Sequence, residues 1–221
     1  MAERVVIFGA GDIADVAYFY LKHDSPYEVV AFAVDKEYIK QDTFNSLPVV
    51  AFEDAAAKYP PSEYKMFVAL SYAKVNSVRE SKCSEARARG YSLISYVSTK
   101  ATVWPDLTIG DNCFILEDNT IQPFVRIGNN VTLWSGNHIG HHSRIADNCF
   151  ISSHVVISGG VEVGQNCFIG VNATLRDHIK VAPRCVIGAG ATILADTQES
   201  GVYMASPTEV SRVPSNRLRG I

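Results

Sequence analysis

Stepping by six residues from Val97, the chain presents an aliphatic side chain seventeen times in succession, through Val103, Ile109 and Ile115 to Ile193, with no residue skipped or inserted. A helical stripe recurs every three or four residues and a plain strand every two, so neither explains this period. Glycine follows the aliphatic in Ile109-Gly110, Ile127-Gly128, Ile139-Gly140, Val163-Gly164, Ile169-Gly170 and Ile187-Gly188, which asks for one short strand and one corner per step. Three such steps close a triangular coil of eighteen residues, and coils of this kind stack as a parallel β-helix. A second inward position, four residues after each aliphatic, carries Cys113, Asn119, Val125, Val131, Asn137, Ser143 and Cys149 among others, mostly small or apolar groups suited to a narrow interior. Cys113, Cys149, Cys167 and Cys185 fall on one side of that interior and read as core fillers; Cys83 stands outside the pattern.

The first half has a different rhythm. A buried strand at RVVIFGA (4–10) leads through Gly9-Ala10-Gly11-Asp12-Ile13-Ala14 into a helix ending near Lys22, and the next strand ends at Asp35. A helix at FEDAAAKY, a strand at MFVALSY, a helix from about Lys74 to Arg89 and a strand at YSLISYV follow. Alternating strands and helices imply a short parallel sheet, here half of a dinucleotide-binding fold. Gly9 and Gly11 permit a tight turn and the approach of an anion to a helix N-terminus, and Asp35 lies where an acid for a ribose hydroxyl is expected. The expected organisation is an α/β half-Rossmann domain over 1–96, an all-β parallel β-helix over 97–197, and a C-terminal cap and tail over 198–221.

Composition narrows the function classes. Lys plus Arg number 20 against 23 Asp plus Glu, a net charge of −3 that argues against a nucleic-acid partner. No apolar run reaches membrane-spanning length, and Glu3 and Arg4 precede a strand rather than a secretory signal, so no membrane partner is expected. Five cysteines, an odd number with no CxxC pair, suggest free thiols in a reducing compartment, and a cytoplasmic location is the expectation.

The unbroken hexads resemble those of the hexapeptide-repeat acyltransferases, whose β-helix is left-handed; that handedness comes from the resemblance. A small nucleotide-binding domain joined to such a helix at about residue 96 resembles the PglD/NeuD sugar acetyltransferases, and the stretch SGNHIGHHSRI (135–145) is most similar to their GDP-perosamine N-acetyltransferase type. The resemblance implies a homotrimer that moves an acetyl group from acetyl-coenzyme A to the amine of a nucleotide-linked amino-dideoxy sugar, and a place in O-antigen assembly. It further implies substrate contacts at Gly11, Asp12, Ile13, Asp35 and Lys36, with Ser71 as a further candidate. Coenzyme A contacts are implied at Phe150, Val171 and Ala189. The family's closing G-x-P-A-K is replaced here by Ala205-Ser206-Pro207-Thr208-Glu209, so Arg212, Arg217 and Arg219 are the candidates for the coenzyme phosphates.

Three of the six histidines, His138, His141 and His142, lie within five residues. Acetyl transfer to an amine needs a base to remove a proton, and a histidine titrates in the right range for that work. By resemblance His141 is the general base. Many relatives place an acid directly after it; here the position is His142, so its helper is His142, Asp177 or Asp147. Stacking by eighteen sets Gly159 and Gly160 next to the pair, where they leave room for a ligand or a neighbouring subunit, and a backbone N–H of this corner is a candidate oxyanion donor. Asn137 and His138 are further substrate candidates, with a buried amide ladder through Asn119 and Asn137 as the structural alternative; His23 and His154 read as exposed polar residues. A zinc site at His142 and His178 lacks an acidic or Gln partner, so no metal is expected. Two other readings stay open: a sugar O-acetyltransferase of the sialic-acid type, and a non-catalytic nucleotide-sugar scaffold.

Overall fold

The computed structural model describes residues 2–217. Its first part is a parallel sheet of β1 (Glu3–Phe8), β2 (Tyr27–Val34), β3 (Thr43–Phe44), β4 (Leu47–Ala51) and β5 (Tyr64–Val68), in the order β3-β4-β2-β1-β5 with only the β3–β4 pair antiparallel. Helices α1 (Asp12–His23), α2 (Phe52–Lys58) and α3 (Ser77–Ala88) pack against it. The β3–β4 hairpin was not expected. Its turn is Asn45-Ser46 with φ of 50° and 64°, the left-handed pair that a two-residue hairpin turn requires.

Two further expectations are corrected. The segment YSLISYV, expected as a strand of the first sheet, gives that sheet only a bridge from Leu93 to Met66; its end, β6 (Tyr96–Val97), pairs with Phe114–Ile115 and so opens the second part of the molecule. The helix expected from Lys74 begins at Ser77, because Lys74, Val75 and Asn76 adopt φ of 50°, 51° and 66°. Three consecutive left-handed residues, one of them β-branched, are costly and persist only where the surroundings hold them.

The second part is a left-handed parallel β-helix of three faces. The first face has seven strands, from β6 to Val202–Tyr203, and the second and third have five each, centred on Val156–Ile157 and Arg144–Ile145. The rungs pair residues eighteen apart, such as His138 with Val156 and Arg126 with Arg144, so the hexad count reads directly as geometry; only the closing pair, Val186 with Val202, shortens the step to sixteen. The aliphatic series fills the interior, where Ile115, Leu133, Ile151, Ile169 and Ile187 are wholly buried; the four cysteines of the repeat are buried and free.

Each corner turns through one left-handed residue three positions after the aliphatic. At the corner between third and first faces Arg184 takes the last such slot, and the four before it are Asn112, Asn130, Asn148 and Asn166, asparagine being the non-glycine residue most at ease there. Their side chains form a ladder, Asn112 Nδ2 donating to Asn130 Oδ1 at 2.9 Å and Asn130 Nδ2 to Asn148 Oδ1 at 2.8 Å. The α/β part docks onto this ladder and onto the first face. Asn112 both accepts from Val68 N (2.7 Å) and donates to Val68 O (3.1 Å), finishing the edge strand β5. Arg79 on α3 is buried at 1% exposure and donates to Asn130 Oδ1 at 2.9 Å and to the carbonyls of Asn130 and Cys149, both at 3.1 Å. Desolvation pulls its guanidinium down to about 10. Asn166 donates to Glu80 at 2.8 Å, and Asn76 donates to Cys167 O at 3.1 Å, which anchors the strained turn to the β-helix.

Candidate functional site

The corner between second and third faces carries Phe124, His142, Gly160 and His178 in its left-handed slot, with φ of 67°, 61°, 69° and 56°. His141 precedes His142, and both are exposed. Their Nδ1 atoms lie 3.1 Å apart, so one ring donates to the other. With His141 donating from Nδ1, His142 accepts, and His141 Nε2 is left carrying a lone pair. The backbone of His141 is held by Gln122 Oε1, 2.9 Å from its N–H, and the His142 ring rests against Phe124 with centroids 4.6 Å apart. Gln122 and Phe124 were missed in the sequence, though Phe124 sits eighteen residues before His142 and the period points to it.

The two glycines do not leave the open space expected of them. The His141 ring lies over Gly159, where an added Cβ would come within 2.7 Å of its Cε1 and 2.8 Å of Nε2. The His178 ring fills the place beside Gly160 in the same way, with Nδ1 2.4 Å from an added Cβ. Each glycine is therefore the seat of an imidazole. Gly160 N–H is spent on His141 O at 2.8 Å, whereas Gly159 N–H has no backbone partner among the described residues.

Neither candidate carboxylate reaches the histidines. Asp177 is exposed two coils away and makes no hydrogen bond or ion pair among the described residues, while Asp147 accepts Asn129 N at 2.8 Å and Asn129 Nδ2 at 3.2 Å. His138 stands half-buried on the second face beside this corner. Asn137 is corrected: it is 1% exposed and points inward, donating to Trp134 O and accepting from Val155 N at 2.8 Å, so its amide is not offered to a substrate. Asn119 likewise bonds to the carbonyls of Leu116 and Trp134, both at 2.9 Å, so the two amides serve a corner rather than each other.

Phe150 is also corrected. It is 3% exposed on the first face, stacked on Phe168 (6.0 Å) and covered by Tyr72 (5.0 Å), so its ring belongs to the seam between the two parts. Val171 and Ala189 are exposed and stack eighteen residues apart at the corner between first and second faces. They and His141 thus occupy different corners of one prism. Arg212 and Arg217 are exposed in the tail, and Arg219 lies outside the described residues.

In the α/β part the remaining candidates gather at the carboxyl ends of β1, β2 and β5, the usual ligand edge of a parallel sheet. Gly9 has φ of +125° and an added Cβ would stand 2.7 Å from Ala69 O, so only glycine fits. Gly11 is neither strained nor crowded; its bareness leaves the start of α1 open, where no side chain caps the first N–H groups. Asp12 is exposed and Ile13 half-buried in that first turn, and they can offer backbone N–H groups to an anion. The Asp35 carboxylate is engaged by Lys82 Nζ at 2.8 Å. Lys36 is exposed, with its N–H 3.1 Å from Glu53 Oε2, and Ser71 is half-buried just beyond β5. Among the described residues no group of three His, Cys, Asp or Glu is arranged to hold a metal, and no helix is long and apolar enough to cross a membrane.

The bacterial transferase hexapeptide (six repeats) family model matches residues 106–139, 124–159 and 160–195. No curated protein matches the chain significantly. Among solved structures the chain is similar to a histidine-to-asparagine variant of perosamine N-acetyltransferase from Caulobacter crescentus in complex with CoA and GDP-perosamine. Identity is 24% over 94% of this chain and 96% of that one, with a TM-score of 0.83. It is similar to the acetyltransferase domain of PglB from Neisseria gonorrhoeae in complex with acetyl coenzyme A, at 21% identity, covering 95% and 99% of the two chains, with a TM-score of 0.81. WeeI from Acinetobacter baumannii matches at 17% identity over 90% and 93%, with a TM-score of 0.65. The fold is shared with these proteins along almost the whole chain.

Proposed function

We propose that the protein is a sugar N-acetyltransferase of the PglD/NeuD kind, moving acetyl from acetyl-coenzyme A to the amine of a nucleotide-linked amino-dideoxy sugar. The observation that carries the reading is the His141–His142 pair, seated on Gly159 with Nδ1 atoms 3.1 Å apart. The structural neighbours named above, solved with CoA or acetyl coenzyme A and one also with GDP-perosamine, support it.

In this reading the sugar amine attacks the thioester carbonyl, its C–N bond forms, and His141 Nε2 takes the amine proton. Gly159 N–H faces the oxyanion. The C–S bond then breaks and the proton passes to the departing thiolate, so that N-acetyl sugar and coenzyme A leave. His142 stabilises the imidazolium of His141 through a charge-assisted bond between the Nδ1 atoms, the task an acid performs in relatives. Val171 and Ala189 lie at another corner from His141, so a coenzyme touching both sets bridges two copies of the chain, which favours a homotrimer. Gly11, the Asp12 and Ile13 backbone, Lys36 and Ser71 hold the nucleotide, and Arg212 the coenzyme phosphates.

The test is kinetic. His141→Ala lowers kcat by about 10²–10⁴-fold with unchanged thermal unfolding; activity within tenfold of the parent overturns the assignment. His142→Phe keeps the contact with Phe124 but loses the Nδ1 acceptor and lowers kcat about tenfold at unchanged KM, while His142→Glu restores it. Offering amino and hydroxy sugar nucleotides in the same assay reads the acceptor chemistry.

A further inference from the structure

His154 is built as the candidate base is built. It stands in the left-handed slot of the corner between first and second faces, with φ of 58°, and is exposed. Its ring leans over Gly136, eighteen residues earlier, where an added Cβ would come within 2.5 Å of both Nδ1 and Cε1. A glycine one coil away thus gives this imidazole a seat, as Gly159 does for His141, and the Nε2 edge is turned away from that seat. His178 on Gly160 repeats the arrangement, but above His142 on the corner already described.

The corner of His154 also carries Val171 and Ala189, so in the proposed reaction it belongs to the copy opposite His141. The second face, which joins the two corners, suits a contact between copies. Its outward column of Thr120, His138, Val156, Thr174 and Thr192 holds no acid, lysine or arginine, and Arg176 stands only at its margin. The third face instead presents Arg126, Arg144, Glu162 and Lys180. Interface cores are depleted of charge, so the second face is the one that turns toward the other copies.

Copies related by rotation about an axis parallel to the prism keep every residue at its own height. One coil of eighteen residues rises about 4.8 Å. Gly136 lies six residues before His142 and His154 twelve after it, so a ring spanning the two stays within about 3 Å of the height of His142. Val171 and Ala189 stand about 8 and 13 Å higher on the corner of His154. A pantetheine arm descending past Ala189 and Val171 therefore brings its sulfur to the level where His154 of one copy faces His141 of the next.

We propose that His154 completes the acetyl-transfer site of a neighbouring copy, its Nε2–H donating a hydrogen bond to the coenzyme sulfur as the C–S bond breaks and the electron pair moves onto sulfur. The proposal rests on the acetyltransferase reading. The bond strengthens as charge develops on the sulfur and so favours departure of the thiolate. His154 keeps its own proton, and the thiolate takes the one that His141 removed from the amine.

The experiment mixes two variants of the full chain, His141→Ala and His154→Asn. Each alone is expected to lose activity, His154→Asn by about tenfold in kcat with its unfolding midpoint unchanged, because asparagine fits the left-handed slot but is shorter than the imidazole. Co-expressed with different tags and purified through both, they form mixed trimers in which one interface joins an intact His141 to an intact His154. Those trimers are expected to show about a third of the parent activity. Mixed trimers no more active than His154→Asn alone, a His154→Asn enzyme with the parent kcat, or an active monomer overturns the shared site and leaves the acetyltransferase reading standing. A parent protein that acetylates none of the amino-sugar nucleotides offered overturns that reading, and the shared site with it.

Discussion

Two corners of the same prism use one backbone device to opposite ends. Between third and first faces four of the five left-handed slots hold asparagines, buried or nearly so, and their amides pair with each other and with Val68, Arg79 and Glu80, while the last holds the exposed Arg184. Between second and third faces the same slots hold Phe124, His142, Gly160 and His178, and no described residue of the α/β part covers them. A left-handed corner costs little with Asn or Gly and more with any other residue. The asparagine column therefore takes the cheap solution and adds interdomain hydrogen bonds. The histidine column carries a larger backbone cost with no interdomain contact to offset it, as do Asp118 and His154 at the remaining corner.

The comparison breaks most visibly at Arg79. Arg79→Ala removes three charge-assisted donations at 2.9–3.1 Å, leaves the Asn130 carbonyl without its donor, and opens a cavity beside Phe150. A loss of about 3 kcal/mol or more in unfolding free energy is expected, read from denaturant midpoints. A loss under about 1 kcal/mol would mean that the seam is held by its aromatic contacts alone.

Next come the adjacent glycines, which look alike in sequence and differ in the structure. Gly160 has φ of +69° and supports the His178 ring, so Gly160→Ala is expected to cost about 1–2 kcal/mol of stability. Gly159 has no left-handed φ, and the atoms nearest its added methyl all belong to the His141 ring. Gly159→Ala is expected to lower kcat about tenfold by displacing that ring while moving the unfolding midpoint little. Equal effects of the two substitutions on both readouts would dissolve the distinction between a structural and a chemical glycine.

The period of six made the prism legible because each rung repeats the last with no insertion, and it placed His141, His142, Gly159 and Gly160 at one corner before any coordinates. It did not say which way the freed space would be used, since whether a glycine admits a ligand or a neighbouring imidazole depends on rotamers. The asparagine column was equally periodic at 112, 130, 148 and 166, but its meaning lies in Val68 and Arg79, far away in sequence. Phe150 misled for the same reason: an outward position on a β-helix face is exposed only if no other part of the chain lies upon it. The left-handed run at Lys74–Asn76 had no local signal at all, because the anchor of Asn76 is the carbonyl of Cys167.

The smallest expected effect separates the seam from the histidine corner by pH. At the end of α1, Asp24 accepts from the Thr99 hydroxyl, from the Tyr96 hydroxyl at 2.6 Å and from Thr99 N at 3.0 Å, tying the helix to the first rung of the prism. The Thr99 and Tyr96 hydroxyls, opposed by desolvation, lower its carboxyl from 3.8 to about 2. A carboxyl depressed in the folded state contributes stability that is present above its ordinary value and is lost as pH falls through the folded one. The contribution of Asp24 is thus intact at pH 5 and disappears between about pH 4 and pH 2. Glu117 moves in the same direction: burial works against its charge, and the hydroxyls of Ser135 and Tyr20, each 2.6 Å away, outweigh it. Asp24→Asn is expected to lower the unfolding midpoint slightly at pH 5 and to converge with the parent near pH 2. A constant offset across that window would show that Asp24 acts through packing and not through its charge.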